Sequence, residues 1–75
     1  MNIELATFAK DIKASDQDNV AKLFAVRTVW RNLRPRLATN QENRENILRL
    51  LLLASGLQQF VDVGAVEGML ALEDE

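Results

Sequence analysis

Residues 47–54 read ILRLLLLA, seven apolar positions interrupted only by Arg49. At about 100° per residue these side chains surround most of a helix. Only a strip carrying Glu42, Glu45, Asn46 and Arg49 stays polar. A helix that is apolar nearly all round must be covered on several sides. Residues 47–54 are too few to cross a bilayer, which needs roughly 20 apolar residues. The segment is therefore expected to be the hub of a compact all-α bundle of about four short helices, forming a single domain over residues 1–75.

The hub helix is expected over about 40–55. Thr39-Asn40-Gln41-Glu42 reads as a capping box, with Thr39 as N-cap and Glu42 three residues on. Glu45 and Arg49 form an i, i+4 pair in the favourable order. Ser55-Gly56 supplies the stop.

Upstream, a first helix is expected over 3–13, with Leu5, Phe8, Ala9 and Ile12 on one stripe and Lys10 and Lys13 near its end. A second is expected over 16–34, with Ser15 and Asp18 as a weak capping arrangement. Its seam is Leu23, Val26, Trp30, Leu33 and Leu37, spaced 3-4-3-4. Pro35 lies inside that pattern, removes a helix hydrogen bond and disfavours helical geometry at Arg34. A kink or end is expected near Leu33, with Leu37 reaching back.

Downstream, a fourth helix is expected over 57–72. Its stripe of Leu57, Phe60, Val61, Gly64, Gly68 and Ala71 contains two glycines one turn apart. Glycine inside a helix costs about 1 kcal/mol relative to alanine. Two on one face suggest close approach to another helix; the alternative is a break near 62–64. The acidic tail, Glu73, Asp74 and Glu75, is expected to fray.

Composition narrows the chemistry. The chain has no Cys and no His. Disulfides and thiolate metal sites are excluded, and the commonest general base and metal ligand are missing. No Gly-rich phosphate loop and no spaced set of carboxylates occurs, and Ser15 and Ser55 read as cap and turn residues. Neither an enzyme, nor a metal, nor a cofactor is expected. The first eight residues lack the basic cluster of a secretory signal. A soluble cytoplasmic protein is expected.

Charge is unevenly placed. Residues 20–50 hold seven bases against Glu42 and Glu45, a net of +5. Residues 57–75 hold five acids and no base, a net of −5. Arg27, Arg31 and Arg34 share one face of the second helix, with Val20 and Phe24 on that face a turn or two earlier. Arg36 and Arg44 belong to the same basic region. Guanidinium forks bind carboxylate and phosphate, so this stripe is a candidate site for an acidic protein surface, nucleic acid or a phosphorylated ligand. The competing reading is a solvated face paired with the chain's own acids. A helix-turn-helix over 50–69 is disfavoured, because its second helix carries Asp62 and Glu67 and no cation to meet phosphates.

The other candidate surface is apolar. Four short helices cannot easily enclose every large side chain here, so Phe24, Leu53, Val63, Val66, Met69 and Leu70 are candidates for an exposed binding or self-association patch. Trp30 is expected in the core. The function these features suit is a non-enzymatic interaction protein (adaptor, assembly factor or inhibitor) that occludes a larger macromolecule, alone or as a homo-oligomer.

Overall fold

The computed structural model describes residues 3–36 and 40–71. The chain begins with α1 (Ile3–Ala14), followed by α2 (Asn19–Leu33) and a 3-10 turn (Arg34–Arg36). It continues with α3 (Gln41–Ala54), α4 (Gln58–Asp62) and α5 (Ala65–Ala71). The fold is an all-α bundle with α3 at its centre, in contact with each of the other four helices. Leu48, Leu51 and Leu52 of α3 are fully buried, while Leu50 and Leu53 reach the surface. The hub is therefore covered on most of its circumference rather than all of it. Trp30, Val26, Ala9 and Leu57 close around it.

Local chemistry sets the element ends. Asp18 is the N-cap of α2, accepting a hydrogen bond from the Ala21 N–H at 2.8 Å. Ser15 does not start α2; its hydroxyl donates back to the Ile12 carbonyl at 2.9 Å and helps close α1. Lys22 also reaches that end, donating to the Lys13 carbonyl at 3.1 Å. The N-cap of α3 is Asn40 rather than Thr39: its side-chain oxygen accepts from the Asn43 N–H at 2.9 Å. Asparagine is at least as good a cap as threonine, and one residue's shift moves Glu42 out of capping-box register. Thr39, Leu37 and the tail 73–75 lie outside the described residues.

α2 does end at Leu33, but Arg34 keeps right-handed helical geometry (φ −49°, ψ −46°) and donates to the Trp30 carbonyl. Pro35 brings no N–H to the ladder, and the chain tightens into a 3-10 turn instead of kinking away. At the other end of α3, the Leu57 N–H bonds to the Leu52 carbonyl at 3.0 Å and the Gly56 N–H to that of Leu53 at 3.1 Å. Gly56 has φ +77°. This is a Schellman stop, completed by packing of buried Leu57 on Leu52.

The continuous fourth helix expected over 57–72 is broken, at the place the alternative reading named. Gly64, at φ +81°, ends α4 and turns the chain into α5. The physical reason is in the side chains. A continuous helix would turn Gly64, Gly68 and Ala71 inward. The break lets Val66, Met69 and Leu70, an i, i+3, i+4 stripe of their own, enter the core. Each large apolar side chain buried is worth about 1.5–3 kcal/mol, well above what two glycines return. The close-approach reading of the glycines falls with the continuous helix: Gly64 and Gly68 are exposed, and a Cβ on Gly68 would meet nothing within 4 Å.

Candidate functional site

The burial of Val66, Met69 and Leu70 corrects their expected place on a binding surface: they cover α3 and are 1%, 8% and 8% exposed. Phe24, Leu53 and Val63 are on the surface as expected. Phe8, read on the apolar stripe of the first helix, and Leu50, one of the hub leucines, join them, and both are half exposed. For Phe8 the clue was local. Glu4 and Asp11 stand at i−4 and i+3 from it on α1, so it occupies the polar edge of the stripe rather than its middle.

Phe8 forms one wall of a groove between α1 and α2 with a volume of about 550 Å³. Leu5 from α1 and Val29 and Leu33 from α2 give it an apolar floor. Thr28 and Asn32 of α2 supply a polar lip, while Glu4 and Arg36 bring one charge of each sign. The lip hydroxyl and amide are turned to their own helix: Thr28 Oγ1 donates to the Phe24 carbonyl and Asn32 Nδ2 to the Thr28 carbonyl, both at 3.0 Å. The polar lip is thus partly satisfied from within, and the groove offers mainly apolar contact.

The arginines are distributed over three elements. Arg27 and Arg31 lie on α2. They share a stripe with Val20 and Phe24, roughly opposite the positions 28, 29, 32 and 33 that line the groove. The Arg27 guanidinium stands 5.4 Å from the Phe24 ring centroid, a cation–π contact. Arg34 is half-buried in the 3-10 turn, Arg36 borders the groove, and Arg44 is half-buried on α3. Arg49, in contrast, is committed within α3: it bonds to Glu45 at 2.9 Å, the i, i+4 pair read from the sequence, and to Asn46 at 3.2 Å.

The serines do structural work. Ser55 is fully buried and donates to the Leu51 carbonyl at 2.8 Å, as Ser15 does to Ile12. Among the described residues no group of three or more acidic side chains is placed to hold a metal ion. No helix among them is long and apolar enough to cross a membrane. The segment after the Gly56 turn is a five-residue helix ending at Asp62.

The fold and its surfaces define a small helical bundle with an apolar groove on one side of α2 and a cationic, aromatic face on the other. No protein-family model, no curated protein and no solved structure matches the chain.

Proposed function

We propose that this protein is a non-enzymatic interaction module, an adaptor, assembly factor or inhibitor, that docks on a larger macromolecule and occludes part of its surface. The observation that carries the reading is Phe8. It is 53% exposed, and it lines an apolar groove. A large aromatic left in water beside a preformed cleft is the kind of anchor that interface energy concentrates in. The absence of cysteine suits a cytoplasmic setting.

A second reading has its own observation. Arg27 stacks on Phe24 and Arg31 follows one turn later, an aromatic and cationic pairing that suits nucleic acid or a phosphorylated ligand. Capture of the target by immobilised protein, with and without nuclease and over a salt series, separates the two. The occlusion reading expects salt-tolerant, nuclease-resistant capture that Phe8→Asp or Leu53→Asp abolishes. Capture that falls steeply with salt, disappears with nuclease and is lost in Arg31→Glu supports the second reading instead. Val66→Asp, which would place a carboxylate in the core, is uninformative here. Turnover of any substrate by the purified chain contradicts both.

A further inference from the structure

We propose that a second copy of this chain docks on the outer face of α2, using the corner between α4 and α5. The proposal goes beyond the reading above and does not depend on the groove. Two patches of opposite charge, each built round an exposed apolar side chain, lie on different elements of one protomer.

The first patch is on α2. Val20 and Phe24 are 60% and 58% exposed. Arg27 lies over the Phe24 ring, and Arg31 extends the same stripe. No acid occurs between Asp18 and Glu42, so the stripe has no counter-charge of its own along the helix. The second patch is the corner. Val63 is 79% exposed and sits between Asp62 and Gly64. Glu67 belongs to the same turn: its Oε2 lies 3.5 Å from where a Gly64 Cβ would stand. The corner around Val63 thus carries two carboxylates, Asp62 and Glu67, and no base follows Arg49 in the sequence. Neither Arg27 nor Arg31 forms an ion pair with Asp62 or Glu67 within the protomer.

Each patch supplies what the other lacks. Val63 against Phe24 and Val20 buries apolar surface, while Asp62 and Glu67 meet Arg27 and Arg31 at the rim. Rim charges of this kind set register and speed encounter, and with so small an apolar contact their screening by salt weakens the association. One patch of each kind per chain makes the contact heterologous, so association closes into a ring or extends into a filament, depending on the rotation between copies.

The test is sedimentation of the purified protein at low and high salt, with circular dichroism to confirm folding. Wild type is expected to sediment as an oligomer at low salt and to move toward the monomer as salt rises. Arg27→Glu with Arg31→Glu, and separately Asp62→Arg with Glu67→Arg, should each give monomer. All four reversals in one chain should restore the oligomer. Val63→Asp should give monomer with every other charge intact, and Lys10→Glu, on α1 outside both patches, should change nothing. A wild type that is monomeric at every concentration and salt overturns the proposal. So does an oligomer that survives either reversed pair, or a four-reversal chain that stays monomeric. These outcomes need no other macromolecule, so they are separate from failure of target capture through the groove.

Discussion

At Gly56 the backbone has φ +77°, and a Cβ would meet Lys13 Cγ at 3.2 Å. Gly64 has φ +81°, but there a Cβ would make only an ordinary contact, at 3.5 Å, with Glu67. The left-handed conformation alone costs an L-residue about 1–2 kcal/mol. Gly56→Ala should therefore lower stability by about 2 kcal/mol and Gly64→Ala by about 1 kcal/mol, read from urea unfolding midpoints. Gly68 is helical and faces open space, so Gly68→Ala should stabilise by roughly 0.5–1 kcal/mol. A loss there would mean that another helix approaches this face after all. Ser55 gives a contrasting case. Its Oγ donates to the Leu51 carbonyl, which also accepts from the Ser55 N–H. Ser55→Ala leaves that carbonyl satisfied, and a change within about 1 kcal/mol is expected despite complete burial.

Helix ends depend on which of several neighbouring polar residues wins the cap. The side chains of Asp18 and Asn40 hold the starts of α2 and α3. Asp18→Ala and Asn40→Ala should each cost about 1 kcal/mol, measured by the same denaturant titration. Ser15→Ala should leave the start of α2 unchanged, because its hydroxyl serves α1. Competition of this kind explains what the sequence could not show. The leucine repeat of 47–54 fixes a central helix through burial of several side chains together, so its place was legible. Thr39 and Asn40 are adjacent caps separated by tenths of a kcal/mol, so the starting residue was not. The break at Gly64 was legible only as the alternative to a continuous helix: residues 57–71 carry two overlapping apolar stripes, and only the space beside α3 decides between them. The stripe of Val20, Phe24, Arg27 and Arg31 was legible because one helix defines it. The groove at Phe8 needed two helices side by side, which no single-helix periodicity reveals.

Among the described residues eleven apolar side chains are buried, and α5, the seven-residue helix, supplies Val66, Met69 and Leu70. A chain of 75 residues has little core to spare. A domain of this size is held by a margin of several kcal/mol, whereas three such side chains are worth about 1.5–3 kcal/mol each. Removing α5 should thus exceed the margin, uncovering the leucines of α3 even though α1 and α2 remain intact in sequence. The chain ending at Gly64 is expected to lose its sharp thermal transition while retaining part of its helical dichroism. Trp30 is the only tryptophan and is 3% exposed, so its fluorescence reports on the core directly. Its emission should move to longer wavelength in the shortened chain and sharpen back if a peptide spanning α5 is added in trans. Unchanged emission with a cooperative melt would mean that α1, α2 and α4 suffice to cover the hub, and that α5 is an attachment to the fold rather than its closing wall.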